Sequence, residues 1–342
     1  MTAAAIEAEG LVRDFKGEVR AVDRVDLEVA SGEIFGFLGP NGAGKSTTVM
    51  ILTTLLGPTL GSARVAGCDV VRRGPEVRSQ IGVALQDVAL DPMLTANEHM
   101  RLQMALQGVP RRERAARCSD LLARFGLADF AERKVAGYSG GMKRRLDLAL
   151  ALVHRPGVLF LDEPTAGLDV QSRHALWKEV SRLASEEGVT VFLTTQYLEE
   201  ADILASRVAI IDRGKIVADG TPAELKSETG RHSLEIAPQN PADRPRVASV
   251  LASFGEQAAG SPRGVTIRLH RGEQQLPAVL RALDEESVEI AKVEVHAPTL
   301  DDVFLAKTGR SLDGAQPAGE DRASIADPHL DVLASIGVGA SA

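Results

Sequence analysis

The sequence predicts a two-domain α/β protein with a β-rich beginning, a helical subdomain and a second, small α+β domain. Three observations lead to this prediction. A strand, a glycine-rich loop and a helix follow one another in "GEIFGFLGPNGAGKSTTVMILTTLLG". Further along, short apolar strands alternate with helical stretches, which indicates a mostly parallel sheet. After Gly230 a new set of alternating and helical apolar patterns begins, as expected for a separate unit.

Composition limits the classes of protein that the chain can represent. Its 342 residues suffice for two domains and a tail, and 44% hydrophobic with 25% charged residues is ordinary globular composition. A formal net charge of -8 argues against non-specific nucleic-acid binding, so we expect no nucleic-acid partner. The two cysteines have no metal-like spacing, which indicates a reduced cytosolic protein. We find no secretory signal pattern, and the apolar runs are shorter than the about 20 residues of a membrane span.

Residues 1–229 are predicted to form the first domain. Alternation of Val25, Leu27 and Val29 predicts strands near its start. A helical subdomain is expected at about 88–150, where strand signals are missing. The runs "GVLFLD" and "TVFLTT" then predict buried strands, and "RVAIIDRGKIVADG" predicts a hairpin.

Residues 230–310 are predicted to form the small α+β domain. Its patterns indicate three strands and three helices, one of them marked by Leu276, Val279, Leu280 and Leu283 at helical spacing. Residues 311–342 are rich in Ala, Gly, Asp and Ser without a sustained apolar period. We therefore predict that they form a disordered tail.

The glycine-rich loop "GPNGAGKST" fits the phosphate-binding pattern G-x-x-x-x-G-K-[ST] and by itself predicts a P-loop nucleotide-binding protein. Its glycines let the backbone N–H groups turn toward phosphate, at the positive end of the following helix. Lys45 would reach the β- and γ-phosphates, and the Ser46 hydroxyl would be a Mg²⁺ ligand. The predicted nucleotide-binding residues of this loop are Gly39, Pro40, Asn41, Gly42, Ala43, Gly44, Lys45, Ser46 and Thr47.

A pair of carboxylates ends the apolar run "GVLFLDEP". Asp162 would hold Mg²⁺ directly or through water. Glu163 would orient and deprotonate a water that attacks the γ-phosphate. An acidic turn after a strand is common in proteins, but downstream of a P-loop the catalytic interpretation is favoured.

A second candidate anion site lies in "YSGGMKRRLDLAL", where Ser139, Gly140 and Gly141 precede an amphipathic helix. Exposed backbone N–H groups at a helix start can bind phosphate. The chain would then have two phosphate-binding loops for one nucleotide. A head-to-tail dimer, with each nucleotide between loops of opposite chains, accounts for both loops.

Taken together, these motifs resemble the ATP-binding subunit of an ABC transporter over roughly residues 5–225. They occur in the family's order: the Walker A loop, "LQD" with Gln86, the signature "YSGGM", the Walker B run "VLFLDEP" and the D-loop "AGLD". The resemblance implies that Gln86 contributes to the nucleotide and Mg²⁺ site at the edge that meets the membrane partner. It also implies that Phe15 stacks on adenine. The signature departs from the commoner LSGGQ at Tyr138 and Met142.

Gln196, in "TVFLTTQYLEEAD", aligns with the family's switch histidine, which contacts the γ-phosphate. Glutamine keeps an N–H donor but cannot carry a positive charge or shuttle a proton. Together with "YSGGM" and the ending "PTLDDVFLAKTGR", it resembles the daunorubicin/doxorubicin-resistance branch of drug exporters. Gln196 is therefore predicted to be catalytic beside Lys45 and Glu163.

The resemblance implies an ATPase that uses ATP and Mg²⁺ to power export of hydrophobic, anthracycline-like drugs through a separate integral membrane permease. It implies a homodimer on ATP binding, held by the permease at the cytoplasmic face of the membrane. Export of a lipid or another metabolite is an alternative. Another is a slow-turnover, nucleotide-gated regulator, which Glu163 disfavours and Gln196 leaves open. A ribosome- or DNA-acting ABC protein is disfavoured by the single ATP domain and the missing coiled-coil insertion.

Overall fold

The computed structural model describes residues 4–17, 19–229, 232–258, 264–270 and 272–310, and the predicted tail of residues 311–342 lies outside them. The described chain divides into two units, with the boundary between Thr221 and Pro222. Both units have hydrophobic cores of their own. Across the described ranges, no helix is both long enough and apolar enough to span a bilayer.

The first unit alternates strands and helices after an all-strand beginning. In chain order its elements are β1 (Ala4–Phe15), β2 (Val19–Ala30), β3 (Ile34–Leu38), α1 (Lys45–Leu52), β4 (Leu60–Val65), β5 (Cys68–Asp69), α2 (Gly74–Gln80), β6 (Ile81–Ala84), α3 (Ala96–Leu106), α4 (Arg111–Arg124), α5 (Gly140–Ala151), β7 (Val158–Asp162), α6 (Val170–Glu187), β8 (Thr190–Thr195), α7 (Leu198–Leu204), β9 (Arg207–Asp212) and β10 (Lys215–Gly220).

The central sheet has the strand order β10-β9-β3-β8-β7-β6, and all its strands are parallel except β10. The predicted mostly parallel sheet and the predicted hairpin, formed by β9 and β10, are therefore confirmed. Every residue of β3, β7 and β8 is buried, as expected for strands covered on both faces. The Phe192 ring lies 5.4–5.6 Å from those of Phe35, Phe37 and Phe160. This aromatic cluster ties the three neighbouring strands together.

The antiparallel sheet of the N-terminal part has the order β2-β1-β4-β5 and confirms the predicted β-rich beginning. Its alternating apolar residues, including Val25, Leu27 and Val29, are buried. This sheet shares one hydrophobic cluster with α1 and with residues of β3, β7 and β8. It therefore stabilises the central strands from which the candidate site extends.

The region between β6 and β7 contains α3, α4 and α5 with short 3-10 turns. Thr95 caps the start of α3 in a capping box. The Thr95 hydroxyl accepts a hydrogen bond from the backbone amide of Glu98, and the Glu98 carboxylate accepts one from the backbone amide of Thr95. Apolar residues of α3 and α4, such as Met100 and Leu121, pack into the same core as α5.

The second unit contains one strand more than the three that were predicted. Its elements are α8 (Pro222–Thr229), β11 (Ser233–Pro238), α9 (Arg244–Leu251), β12 (Gly255–Ala258), β13 (Val265–Leu269), α10 (Leu276–Glu285), β14 (Ile290–His296) and α11 (Leu300–Thr308). The sheet is antiparallel with the order β12-β13-β11-β14. The missed strand is β12, whose residues "GEQA" show no apolar alternation and owe their extended form to pairing with β13.

The boundary between the units also lies before the predicted position at 229/230, because α8 belongs to the second unit. This helix packs against α11. Leu225 of α8 is 2% exposed, and Glu228 forms an ion pair with Lys307 of α11 at 3.4 Å. The two helices are far apart in the sequence, so the pairing has no local signal.

We predict that a fragment of residues 222–310 is more stable than a fragment of residues 230–310. The longer fragment keeps the α8–α11 pair, and burial of a leucine side chain such as Leu225 stabilises by about 1.5–3 kcal/mol. Thermal unfolding followed by circular dichroism would measure the difference. Glu228→Gln in the longer fragment is the matched control, because an exposed ion pair contributes only about 0–1 kcal/mol. Equal unfolding midpoints for the two fragments would contradict the assignment of α8.

Candidate functional site

The carboxyl ends of three neighbouring strands bring the predicted site residues together. The register pairs Leu38 at the end of β3 with Thr195 at the end of β8. It also pairs Asp162 at the end of β7 with Thr194 of β8. The loops that follow these strands therefore leave the sheet side by side. They hold residues 39–47, Glu163 and Gln196.

The loop of residues 39–47 needs glycine where it enters α1. Gly44 has a φ of 110°, and a Cβ there would lie 2.3 Å from the carbonyl oxygen of Ala21. Gly44 is the N-terminal cap of α1, and its carbonyl accepts from the amide of Thr48 at 3.0 Å. The amides of the first turn have no partners within the helix, and they carry the positive end of the helix dipole. This arrangement suits an anion such as a phosphate.

Lys45 and Glu163 form a buried ion pair between the loop and the end of β7. The Lys45 Nζ lies 3.1 Å from the Glu163 Oε1, and the side chains are only 4% and 7% exposed. The same Nζ donates to the carbonyl oxygens of Gly39 at 2.8 Å and Pro40 at 3.2 Å. The predicted phosphate-binding cation and the predicted base therefore compensate each other's charge in this structure.

Thr194 links the Asp162 carboxylate to the backbone of Glu163, a role that the sequence analysis did not identify. Its hydroxyl donates to the Asp162 Oδ1, and the Glu163 amide donates to this hydroxyl and to the Thr194 carbonyl, both at 3.1 Å. Glu163 has a φ of 45°, a left-handed conformation that is unfavourable for residues other than glycine. The Thr194 contacts hold Glu163 in this conformation, and such strain is common at functional sites.

The oxygen donors available here suit Mg²⁺. The Ser46 hydroxyl is half-buried at the start of α1, and the Asp162 carboxylate is almost fully buried at the end of β7. Mg²⁺ prefers such oxygen ligands together with substrate phosphates. The third predicted ligand, Gln86, is exposed in the turn that follows β6, next to β7 in the sheet. Its contact with the ion stays a prediction.

Gln196 is half-buried between β8 and α7. Glu200 of α7, which the sequence analysis also missed, is fully buried and accepts from the Trp177 Nε1 at 3.0 Å. Burial raises the pKa of Glu200, and the hydrogen bond from Trp177 opposes this shift. The buried contact attaches the helix after Gln196 to α6, which limits the movement of this turn.

Phe15 ends β1 on the N-terminal sheet and is half-buried. The guanidinium of Arg13 lies over its ring at 4.9 Å from the centroid, a cation–π contact. Adenine stacking on Phe15 stays a prediction.

The predicted second anion site lies at the start of α5. Ser139 is the N-cap, and its hydroxyl accepts from the amide of Met142 at 3.2 Å. Gly140 has open space around its Cα, whereas a Cβ on Gly141 would lie 2.7 Å from the Ser172 Oγ of α6. Ser172 in turn donates to Asp169 of the D-loop, and these bonds lower the pKa of that carboxyl. The signature thus lies close to the first turn of α6, which the D-loop residue Asp169 caps, within one chain.

Comparison with known proteins decides the family. A protein-family model described as "ABC transporter" matches residues 22–166. A second family model, described as "ATP-binding protein DrrA1-3-like, C-terminal domain", matches residues 220–308. The daunorubicin resistance ATP-binding protein DrrA2 of Streptomyces coeruleorubidus is 43% identical, over 91% of this chain and 97% of that protein. This chain belongs to the ABC transporter ATP-binding family. The daunorubicin/doxorubicin resistance protein DrrA of Streptomyces peucetius is 42% identical, over 90% and 94% of the two chains.

Solved structures of ABC ATP-binding subunits share the fold of this ABC protein. An "ATP binding subunit of ABC transporter" has a TM-score of 0.61 and 27% identity, covering 66% of this chain and 92% of that one. The ATP-binding cassette MJ0796, in a dimer bound to ADP and Pi, has a TM-score of 0.59, also at 27% identity, and covers 63% and 98%. The predicted P-loop ABC fold and the predicted ATPase activity are therefore confirmed.

We predict that Lys45→Ala and Glu163→Gln separate nucleotide binding from hydrolysis. Lys45→Ala should weaken ATP binding by about 10- to 100-fold, because a hydrogen bond to a charged group contributes about 1.5–3 kcal/mol. Glu163→Gln should still bind ATP but hydrolyse it about 100-fold more slowly or worse, as expected when a general base is lost. Equilibrium binding of a fluorescent ATP analogue and steady-state phosphate release would measure the two effects. Parental turnover in Glu163→Gln would rule out the role of Glu163.

Proposed function

We propose that this ABC ATPase powers the export of a hydrophobic, anthracycline-like drug through a separate integral membrane permease. The observation that carries the proposal is the match of residues 220–308 to the DrrA-like C-terminal domain, together with 42–43% identity to daunorubicin and doxorubicin resistance proteins. The similarity extends over both units of the chain. The permease would hold the protein at the cytoplasmic face of the membrane.

In the proposed reaction, ATP binds at the loop of residues 39–47. Lys45 leaves the carbonyl oxygens of Gly39 and Pro40 and the Glu163 carboxylate to contact the β- and γ-phosphates. Glu163, released from this ion pair, accepts the proton of the water that attacks the γ-phosphate. Gln196 donates a neutral N–H to the γ-phosphate. Support comes from the convergence of these residues at one sheet edge and from the Lys45–Glu163 distance of 3.1 Å.

Ser46 and Asp162, with Gln86 as a further ligand, would hold Mg²⁺, which neutralises charge on the phosphates. Thr194 fixes one oxygen of the Asp162 carboxylate through its hydroxyl. The carboxylate is thereby oriented before the ion binds. This orientation reduces the rearrangement that metal binding requires.

The proposed active form is a homodimer in which Ser139, Gly140 and Gly141 of one chain contact the nucleotide bound by the other. Ser139 is exposed at the start of a helix of twelve residues, where amides and the helix dipole favour phosphate. The MJ0796 cassette, which this chain resembles, forms a dimer. Two such sites per dimer would account for the two anion-binding loops of each chain.

A second candidate cargo is another metabolite, and two further relatives support it. Nod factor export ATP-binding protein I of Paraburkholderia xenovorans is 37% identical, over 91% of this chain and 99% of that protein. A linearmycin resistance protein of Bacillus subtilis is 32% identical, over 90% and 99%. The daunorubicin and doxorubicin resistance proteins share more residues with this chain, at 42–43% identity, so we retain the anthracycline-like cargo.

The export proposal is tested by expressing the chain in a doxorubicin-sensitive host together with a candidate permease, chosen from membrane proteins whose genes adjoin its own. We expect the two proteins to co-purify and the cells to accumulate less doxorubicin than cells with Glu163→Gln. Time-resolved fluorescence of intracellular doxorubicin gives the readout. Co-purification without a change in doxorubicin content would reject this cargo and favour another metabolite. Failure to co-purify with any membrane protein would reject the transporter role.

We predict that Gln196 supports slow hydrolysis with no pH step of its own. Glutamine keeps a hydrogen bond to the γ-phosphate but does not ionise. Gln196→His should preserve or raise turnover and add a titration at about pH 6–7. Gln196→Ala should lower turnover about tenfold or more, since the contact with a charged group is lost. ATPase assays from pH 5.5 to 9 would measure both, and parental turnover in Gln196→Ala would contradict the phosphate contact.

A further inference from the structure

Arg144, in the second turn of α5, is a buried arginine that the motifs do not explain. Its residue exposure is 5%. The Nε donates to the carbonyl oxygen of Pro164 at 3.0 Å, and the Nη2 donates to that of Asp162 at 2.9 Å. The Nη1 donates to the carbonyl oxygen of Leu85. One guanidinium thus binds backbone in two different loops.

The positions of these carbonyl groups point to a role in catalysis. Asp162 and Pro164 stand immediately before and after Glu163, so Arg144 fixes the backbone on both sides of the proposed base. Leu85 stands immediately before Gln86. The guanidinium is planar and rigid, and its five donors can satisfy several acceptors at fixed angles. The turns of Glu163 and Gln86 are therefore held at a fixed separation by a single side chain.

The charge of Arg144 is compensated from its own helix. Its Nη1 lies 3.2 Å from the Oδ2 of Asp147, one turn later in α5. Asp147 lines a surface groove together with Leu85, Gln103 and His154. Burial raises the pKa of Asp147 to about 6, and the charge of Arg144 opposes this shift. The pair thus connects the wall of this groove to the backbone of the catalytic turn.

We propose that Arg144 is a positioning residue that holds the Glu163 carboxylate in line for water attack and ties its position to the Gln86 turn. The inference rests on the proposed role of Glu163. Glu163 has a left-handed backbone, so its side chain direction depends on contacts that fix φ and ψ from outside. Thr194 supplies these contacts from β8, and Arg144 supplies them from α5.

The test compares Arg144→Gln with the parent in ATP affinity and in turnover. We expect kcat to fall about a hundredfold, because a displacement of about 1 Å at a reacting group can cost that much. Affinity for a non-hydrolysable ATP analogue measured without Mg²⁺ should stay at the parental value, since the hydrogen bonds of Arg144 go to Leu85, Asp147, Asp162 and Pro164 and not to the loop of residues 39–47. Arg144→Lys should recover part of kcat, because an ammonium can still donate to one or two of the carbonyl groups.

Arg117→Gln is the matched control for loss of an arginine that binds backbone. Arg117 donates to the Val153 carbonyl oxygen at 2.8 Å and pairs with Glu113 at 2.8 Å, away from the catalytic turn. It should lower the melting temperature without lowering kcat. If Arg144→Gln does not fold, the double variant Arg144→Gln/Asp147→Asn replaces it in the same assays. The second substitution removes the carboxylate that loss of Arg144 would leave unpaired.

Three outcomes would overturn the inference, and Glu163→Gln measured in parallel distinguishes them. Parental kcat in Arg144→Gln, or in the double variant, beside an inactive Glu163→Gln would reject the positioning role alone. A matching loss of kcat in Arg117→Gln would do the same, because the effect would then follow from lost stability. Full turnover in Glu163→Gln would reject the proposed base and, with it, the basis of this inference.

Discussion

The parallel register of β3, β7 and β8 is the constraint on which the rest of the site depends. It brings the loop of residues 39–47, the turn of Glu163 and the turn of Gln196 out of the sheet at one edge. Side chains alternate along a strand, so a shift of one residue would turn the Asp162 carboxylate to the opposite face. The cluster of Phe192 with three other phenylalanines opposes such a shift by filling the space between strands. The chemistry at the edge is therefore maintained by packing inside the sheet.

Two buried cations near this edge are each compensated by a carboxylate. Lys45 faces Glu163, and Arg144 faces Asp147, and both cations also bind backbone carbonyl oxygens. A buried ion is tolerated when a partner and hydrogen bonds replace its lost hydration. These fixed dipoles and charges cannot relax freely, as water would. The site is thus organised before the substrate arrives, which lowers the reorganisation needed during reaction.

Local motifs made much of this organisation predictable. The phosphate loop, the acidic pair after β7 and the strand before Gln196 are contiguous in the chain, so their residue types and order were sufficient. Arg144 was not predictable, because "MKRR" offers three neighbouring cations and only the packing of α5 shows which is buried. The partnership of Thr194 with Asp162 depends on strand register, which no single segment contains. For the same reason β12 and the α8–α11 pair became visible only in the folded chain.

The close approach of Gly141 to Ser172 affects how genetic data on the signature can be interpreted. A methyl group at position 141 would meet the Ser172 Oγ at 2.7 Å, within the same chain and without any nucleotide. Ser172 is bound by Asp169, so the disturbance would spread to the start of α6. A non-functional allele at Gly141 therefore does not by itself report a lost contact across a dimer. Gly140, which has open space, is the position where an added methyl group leaves the intrachain packing unchanged.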